Sequence, residues 1–226
     1  TRLRNKADQA LAGADDPESS RAAMQEVIAD TDQIIKTFNA LLMISRVESG
    51  SATAELVSLD LSTLVGDVAE LYEPVAEEAG FDFKLDIEPG LKIRGNRELL
   101  SQALSNLCDN ALKYGHPENC KGKEARLAIT ARREGDNIRL EVSDSGPGIP
   151  AGERERVTER FTRLEASRTQ PGNGLGLSLV RAVAQLHGGV LEFADANVDK
   201  ADDSKKDSDA GIGLKASLVL PVERPS

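Results

Sequence analysis

Two asparagines and a lysine are spaced so that they share one face of a predicted helix. Asn106, Asn110 and Lys113 lie four and then three residues apart, which is the spacing of neighbours on a helix surface. Amide oxygens can hold Mg²⁺ directly or through water, and a lysine ammonium can meet a phosphate. The same spacing also fits an ordinary solvated helix face, so this pattern alone leaves both interpretations open.

Asp144 ends an alternating segment and is followed by the glycine-bearing turn Ser-Gly-Pro-Gly-Ile149. A carboxylate at the end of a strand could point into the floor of a pocket. Because an ionised carboxylate is an acceptor only, it suits an exocyclic amine such as that of adenine. Gly146 and Gly148 let the backbone turn and approach a ligand closely, although the segment taken alone could equally be a simple turn.

The segment Gly172-Asn-Gly-Leu-Gly-Leu177 brings three glycines to the start of a predicted helix. Such glycines let several backbone N–H groups converge on a phosphate, aided by the helix dipole. The segment is not a P-loop, because no Lys-Ser/Thr pair follows its second glycine. It is not a convincing dinucleotide fingerprint either, because a polar loop precedes it. A weaker pattern of the same kind, Gly211-Ile-Gly213, stands before the last predicted strand.

Alternating helices and strands carry these segments after residue 50. Hydrophobic periodicity predicts helices over 61–78, 96–113 and 175–186. It predicts strands near 56–59, 81–87, 126–132, 137–143, 190–194 and 214–220. In the first of the helices we expect Leu64, Val68 and Leu71 to face the core. The polar segment 195–211 reads as a solvated loop.

Residues 1–50 have a different, purely helical pattern. Asp16-Pro17 is a typical helix start, and the helix that follows carries a heptad stripe of Met24, Ile28, Thr31, Ile35, Phe38, Leu42 and Ser45. A shorter apolar pattern before it, ending at Ala14, predicts a helical hairpin whose turn is 13–16. Two helices bury little surface alone, so we expect a four-helix bundle made by dimerisation. The alternative is a monomeric hairpin packed on its own second domain.

The composition excludes several classes of protein. The chain has 226 residues, and no apolar stretch in it approaches the roughly 20 residues of a spanning helix. Its formal net charge of −10 argues against nucleic-acid binding as the main task. Cys108 and Cys120 are too few for a disulfide framework, and we see no signal peptide. We therefore expect free thiols in a reducing cytosol.

Together these segments resemble the N, G1, F, G2 and G3 boxes of the sensor histidine kinases, which are members of the GHKL ATPase superfamily. The F-box counterpart is Glu159-Arg-Phe-Thr-Arg163, with Phe161 at its centre. The resemblance covers nearly the whole chain. It implies an α+β protein: a dimerisation and histidine-phosphotransfer hairpin over 1–50, followed by a catalytic ATP-binding domain with the Bergerat α/β-sandwich fold over 51–226.

The resemblance also implies a role for each segment. Asn110 would be the principal Mg²⁺ ligand with Asn106 nearby, and Lys113 and Tyr114 would face the phosphates or the ribose. Asp144 would hold the adenine amine. The nucleotide would further be contacted by Gly146, Gly148, Phe161, Gly172, Gly174, Leu175, Gly176 and Leu177. A mobile lid would span about 150–173, where Arg163 or Arg168 could steady the γ-phosphate.

The implied activity is transfer of the γ-phosphoryl group of Mg-ATP to a histidine and then to an aspartate of a response-regulator receiver domain. We expect a cytoplasmic homodimer, and any membrane anchor would lie in segments absent from this chain. Two rival classes stay open: a GHKL ATPase that closes a clamp, and a non-catalytic dimeric pseudokinase scaffold. The heptad hairpin before the ATP-binding domain argues against the clamp.

The sequence departs from the family pattern in three places, one of which is the segment 195–211, which looks like an insertion. Leu214 and Ala216 stand where the G3 box usually has threonine and phenylalanine. The family's phospho-accepting histidine box is absent, so we expect this chain not to label itself on histidine. The only histidines are His116, expected to be exposed in a turn, and His187, expected to be a cation that favours the helix dipole.

Overall fold

The computed structural model describes residues 17–48, 56–116, 124–164, 173–196 and 213–223. The first helix of the predicted hairpin, its turn and the loop over 197–211 lie outside these described residues. Residues 49–55, at the boundary between the two predicted domains, lie outside them as well. All other elements named below fall within the described ranges.

The described residues form four helices, seven strands and two short 3₁₀ turns. The helices are α1 (Pro17–Glu48), α2 (Leu61–Glu78), α3 (Arg97–Tyr114) and α4 (Gly176–Leu186). The strands are β1 (Val57–Asp60), β2 (Asp82–Ile87), β3 (Lys92–Gly95), β4 (Arg126–Glu134), β5 (Asn137–Asp144), β6 (Val190–Asp195) and β7 (Leu214–Pro221). The 3₁₀ turns are Ala151–Glu153 and Arg156–Thr158. The predicted helices and strands after residue 50 are therefore confirmed.

Five strands form one sheet in the order β2-β4-β5-β7-β6, and β1 pairs separately with β3. Only β2 and β4 run parallel, whereas the other neighbours in the sheet are antiparallel. Strands β4 and β5 form a hairpin, and Gly135 adopts the left-handed conformation in its turn with φ 62°. The register of β5 and β7 places Asp144 opposite Leu214. This pairing puts the backbone N–H of Leu214 within hydrogen-bond reach of the Asp144 carboxylate.

The core lies between one face of the sheet and the helices α2, α3 and α4. The central strands alternate largely in period two, so most of their buried side chains belong to that face. The aliphatic ones include Leu127, Ile129, Ala131, Ile138, Leu140, Val142, Leu218 and Leu220, whereas Ser217 is buried on the other face, where it donates to Glu141. The other face carries ion pairs, among them Arg139–Glu192 and Lys215–Glu141. The core is aliphatic, as expected from a chain with 3% aromatic residues.

Two features of the fold differ from the sequence prediction. Strand β3 was not predicted, and Leu71, predicted to face the core, is 71% exposed. Leu71 lies outside because the second half of α2 packs through Ala69, Tyr72 and Ala76. The buried face thus moves around the helix axis, and the three-four spacing alone does not report that rotation.

Helix α1 has two different surfaces. Near its C-terminal end Ile44 and Val47 are buried, and α1 packs against α4 there. Much of the predicted heptad stripe is exposed instead, at Met24, Ile28, Ile35, Phe38 and Leu42. Among the helices that the structure describes, none combines the length and hydrophobicity needed to cross a bilayer. The dimeric bundle stays a prediction, and the exposed apolar stripe of α1 is the observation that supports it.

Substitution at Gly189, between α4 and β6, tests the packing of the sheet edge. A Cβ there would overlap the carbonyl oxygen of Val219 and would lie 2.9 Å from Cδ2 of Leu220. We expect Gly189→Ala to lower the free energy of unfolding by roughly 1–3 kcal/mol, because the clash is with backbone. Urea unfolding followed by circular dichroism measures this change.

Gly66, inside α2, is the matched control because a Cβ there would meet nothing within 4 Å. Gly66→Ala should raise the free energy of unfolding by about 0.5–1 kcal/mol, since alanine loses less backbone entropy in a helix. Equal stability of the two variants would contradict the packing described for Gly189.

Candidate functional site

The two predicted asparagines lie beside the first turn of α4. A Cβ on Gly176 would stand 3.3 Å from Oδ1 of Asn106 and 3.8 Å from Nδ2 of Asn110. Nδ2 of Asn106 donates to the carbonyl oxygen of Gln102 at 2.9 Å, which fixes the orientation of that amide. The first N–H groups of a helix have no acceptor within it. The site therefore brings amide oxygens and anion-binding backbone groups together.

Lys113 and Tyr114 form a pair at the C-terminal end of α3. Nζ of Lys113 donates to the Tyr114 hydroxyl oxygen at 3.0 Å and lies 4.6 Å from the centre of the tyrosine ring. Both side chains are half-buried. The ammonium is consequently held next to the end of α3 by a hydrogen bond and by a cation–π contact.

The end of α3 packs directly on the turn that follows β5. A Cβ on Gly146 would lie 2.6 Å from the carbonyl oxygen of Tyr114 and 3.0 Å from Oδ1 of Asp144. A Cβ on Gly115 would lie 3.0 Å from the Cβ of Asp144. Glycine is therefore required at both positions for this close approach, which joins the asparagine helix to the predicted pocket floor.

Asp144 is a buried carboxylate, only 7% exposed. The backbone N–H of Gly146 donates to its Oδ1 at 2.8 Å. Burial raises the pKa of Asp144 to about 6, while hydrogen bonds from the N–H groups of Gly146 and Leu214 act in the opposite direction. A desolvated acceptor of this kind is well suited to a ligand that donates a hydrogen bond.

The turn after β5 is also tied to the segment before β7. The N–H of Gly213 donates to the carbonyl oxygen of Gly146 at 3.0 Å. Gly148 has φ 73°, and a Cβ there would lie 3.0 Å from the carbonyl oxygen of Gly213. The described part of the weak predicted pattern at 211–213 thus lies beside the Asp144 turn.

Phe161 contacts the glycine segment that precedes α4. Its N–H donates to the carbonyl oxygen of Gly174 at 2.9 Å, and a Cβ on Gly174 would lie 2.7 Å from the carbonyl oxygen of Thr162. Phe161 itself has φ 61°, a left-handed conformation that costs of order 1–3 kcal/mol in a non-glycine residue. Its ring is exposed, so the conformation holds the ring outside the core.

The remaining predicted site residues have mixed positions. Leu175 is buried in the core, so a ligand contact at this position would have to come from its backbone. Leu177 is half-buried against the core, and Arg163 is half-buried. Arg168 and Gly172 lie outside the described residues.

The part of the predicted lid that is described is anchored by Arg154. Its guanidinium donates to the carbonyl oxygen of Ile149 at 3.0 Å and pairs with Asp195. Arg181 on α4 donates to the hydroxyl of Thr158 at 2.9 Å. Sequence patterns do not reveal these anchors, because the Arg154–Asp195 and Arg181–Thr158 contacts join residues 41 and 23 positions apart.

His187 corrects one prediction. Its side chain is buried, and burial lowers its pKa, so it is a neutral imidazole and not a helix-stabilising cation. Nδ1 lies 2.7 Å from the carbonyl oxygen of Val183, and Nε2 accepts from the N–H of Asn96 at 3.0 Å. His116 is half-buried, rather than exposed as expected, with its ring edge-on to Phe81.

Within the described part of the chain, no cluster of three histidine, cysteine or acidic residues could hold a metal ion. A divalent cation at this site would depend on the amide oxygens of Asn106 and Asn110 together with oxygens of its ligand. Cys108 is a buried free thiol, and burial raises its pKa to about 12. It is therefore unsuited to act as a thiolate ligand.

Comparison with known proteins identifies relatives of this arrangement. Residues 95–224 match the family described as "Histidine kinase-, DNA gyrase B-, and HSP90-like ATPase". The sensor-like histidine kinase SenX3 of Mycobacterium tuberculosis is 31% identical over 218 residues, which are 96% of this chain and 48% of SenX3. The chain thus spans about half the length of the curated relatives of that name.

Solved structures of similar fold are also histidine kinases. The mycobacterial sensor histidine kinase MprB is 30% identical and superposes with a TM-score of 0.61, covering 75% of this chain and 100% of that chain. Full-length ShkA in complex with AMPPNP is 24% identical, with a TM-score of 0.69 over 92% of this chain and 40% of that chain. At that identity ShkA supports the fold alone.

The raised pKa of Asp144 predicts a pH-dependent contribution to stability. Its folded pKa of about 6 lies above the ordinary value of about 3.9, so between these values the folded state binds more protons than the unfolded state. Stability from this group is therefore present below pH ~4 and is lost as the pH rises through ~6, by about 3 kcal/mol. Urea unfolding of the unmutated chain and of Asp144→Asn from pH 4 to 7 measures this contribution as the pH-dependent difference between their free energies of unfolding. A constant difference between the two proteins would contradict the prediction.

Proposed function

Because the chain belongs to the histidine kinase-, DNA gyrase B- and HSP90-like ATPases and its relatives are sensor histidine kinases, we propose that it is the ATP-binding catalytic region of a two-component sensor kinase. The observation that carries this proposal is the convergence of three segments on one site. Asn106 and Asn110 meet Gly176, the end of α3 meets Gly146, and the Asp144 carboxylate is buried beside them. Each segment supplies a different part of nucleotide recognition.

Asp144 would recognise the base. Its carboxylate accepts hydrogen bonds and is desolvated, so a donor such as the adenine amine would regain part of the solvation that folding removed. Gly146 and Gly148 would allow the base to lie against the backbone of the turn. A protein of the same fold, ShkA, is described in complex with AMPPNP, which is consistent with a nucleotide site in this fold.

The amide side chains and α4 would hold the phosphates. Asn110 would be the principal ligand of Mg²⁺ and Asn106 a nearby one, and the lack of a side chain at Gly176 keeps a Cβ from crowding Oδ1 of Asn106. Bound Mg²⁺ would neutralise charge on the phosphate oxygens. The first N–H groups of α4 and the Lys113 ammonium would contact the phosphates or the ribose.

The proposed reaction is phosphoryl transfer to a histidine and then to an aspartate of a response-regulator receiver domain. The bond between the γ-phosphorus and its bridging oxygen breaks, a bond to the imidazole nitrogen forms, and ADP leaves. Orientation and charge neutralisation contribute most to such a reaction, and Arg163 or Arg168 would steady the γ-phosphate. The accepting histidine is not among residues 1–50, so it would be supplied by another segment or chain.

Dimerisation through α1 would join two copies of this region in the intact sensor. The exposed heptad stripe is wide enough to form the seam of a four-helix bundle with a second copy. The catalytic region would act in the cytoplasm, where ATP and receiver domains are available.

Asp144→Asn should weaken ATP binding about tenfold to over a hundredfold, because an amide can present a donor toward the adenine amine and the charge-assisted bond is lost. Titration with a fluorescent ATP analogue measures the affinity. Asp136→Asn in the exposed β4–β5 turn removes the same charge far from the site and should bind normally. Unchanged affinity in Asp144→Asn would remove the adenine assignment.

Asn110→Ala should abolish the enhancement of ATP binding by Mg²⁺ while affinity without Mg²⁺ changes little. The reason is that the amide oxygen proposed to ligate the cation is removed, whereas the contacts to the base remain. Paired titrations with Mg²⁺ and with EDTA measure the difference. Asn137→Ala on the exposed start of β5 is the control. A variant at 110 that still responds fully to Mg²⁺ would contradict the role of Asn110.

Phe38→Glu should convert a dimer to a monomer that still binds ATP, because Phe38 belongs to the exposed stripe and is 60% exposed without a second copy. Light scattering after size-exclusion chromatography measures the mass. Gln25→Glu adds the same charge at an exposed position of α1 outside the stripe and should remain dimeric. A monomeric unmutated chain would refute dimerisation through this helix.

A further inference from the structure

His187 joins two helices that the proposed site depends on. It follows the last residue of α4, and its ring is 5% exposed. The N–H of Asn96 can only donate, so Nε2 of His187 must be the acceptor of their 3.0 Å hydrogen bond. The carbonyl oxygen of Val183 can only accept, so Nδ1 must carry the proton at 2.7 Å. Both nitrogens of one neutral tautomer are therefore used.

Asn96 is the N-cap residue of α3. Its side-chain oxygen accepts from the N–H of Leu99 at 3.1 Å, and its carbonyl oxygen accepts from the N–H of Leu100 at 3.1 Å. The N–H of Asn96 donates to Nε2 of His187. The hydrogen bond from α4 thus holds the N-cap itself, where the position of the whole helix is set.

Gly95 allows the imidazole to approach this junction. A Cβ on Gly95 would lie 2.8 Å from Cδ1 of Leu100, 3.1 Å from Cδ2 of His187 and 3.2 Å from its Nε2. The ring therefore fits against the backbone at residues 95 and 96 with no spare room. Close contact on one side and two directed hydrogen bonds give the ring a single position.

The contacts at the two ends of this helix pair show that α3 and α4 lie antiparallel. At one end His187 holds Asn96, and at the other Gly176 lies against Asn106 and Asn110. Asn96 to Asn106 is about 15 Å along α3, and Gly176 to His187 is about 16 Å along α4, at 1.5 Å per residue. The two spans match, so both contacts can form together. Because α3 is one continuous helix, an axial shift at Asn96 would move Asn106 and Asn110 by a similar distance relative to Gly176.

We propose that His187 is a positioning residue that sets the axial register of α3 against α4, so that Asn106 and Asn110 meet the first turn of α4. This inference rests on the proposed function, because its consequence is a site for Mg-ATP at that contact. An apolar side chain could fill the same volume, but it would remove the acceptor that Nε2 of His187 supplies to the part-buried N–H of Asn96. The hydrogen bond, and not only the packing, is what the inference requires.

Two amide variants separate the two nitrogens of the imidazole. His187→Gln can place an oxygen where Nε2 lies and so accept from Asn96. His187→Asn reaches only the position of Nδ1 and keeps the link to Val183 alone. We expect His187→Asn to weaken Mg-ATP binding by roughly three- to thirtyfold and to change Mg²⁺-free nucleotide binding little. His187→Gln should restore the Mg²⁺-dependent affinity.

Amide hydrogen exchange of the Asn96 N–H, followed by NMR in the full chain, gives a readout independent of nucleotide. Protection should be lost in His187→Asn and kept in His187→Gln. Equal Mg-ATP affinity in His187→Asn and the unmutated chain would overturn the positioning role. So would lost affinity in His187→Gln with its Asn96 protection intact.

Gly95→Ala retains His187 and is the alternative test of the positioning role if His187→Asn does not fold. Its Cβ would press on the ring and on Leu100, and it should give the same selective loss of Mg²⁺-dependent affinity. Wild-type Mg²⁺-dependent affinity in a folded Gly95→Ala variant would overturn the register role too. If the unmutated chain bound no Mg-ATP, the proposed function would fall and the link to nucleotide with it. The Asn96 exchange rates would then still show whether His187 holds α3.

Discussion

The burial of the Asp144 carboxylate is the constraint around which the site is organised. An ionised carboxylate in an apolar core is unfavourable unless donors surround it, and here the donors are backbone N–H groups of Gly146 and Leu214. The register of β5 and β7 places Leu214 opposite Asp144, and the turn after β5 returns Gly146 to it at 2.8 Å. Ser145 holds the same turn by accepting from the N–H of Arg126 at 2.8 Å. The sheet register, the turn and the neighbouring strand thus all contribute to the surroundings of the Asp144 carboxylate.

Glycine permits close approach between segments at three positions of the site. At Gly115 and Gly146 it permits contact between the end of α3 and the Asp144 turn, and at Gly176 it permits the first turn of α4 to approach Asn106, where a Cβ would lie 3.3 Å from Oδ1. The site is therefore assembled by backbone contacts that a larger residue would disturb. Phe161 shows the converse situation, since a non-glycine residue is held in a left-handed conformation by its hydrogen bond to Gly174. Backbone strain of this kind collects at functional segments.

Much of this architecture follows from local sequence patterns. The asparagine spacing placed Asn106 and Asn110 on one helix, and alternation placed Asp144 at the end of β5, because both periodicities are set by neighbouring residues. Strand β3 has only one large apolar side chain, Ile93, among its four residues, so no apolar alternation marks it in the sequence. His187 was misjudged because its partner Asn96 is 91 residues away, and a lone histidine at a helix end equally suits a cation. Tertiary contacts, not propensities, decided both cases.

Helix α4 is the element that the site shares with the rest of the molecule. Its first turn lies against Asn106 and Asn110, and the residue after its last turn holds Asn96. Its outer side packs against the end of α1, where Ile44 and Val47 are buried. Removing two such side chains from a buried environment costs about 1.5–3 kcal/mol each. The position of α1 is therefore coupled energetically to the helix that completes the site, even though α1 contributes no side chain to the contacts described there.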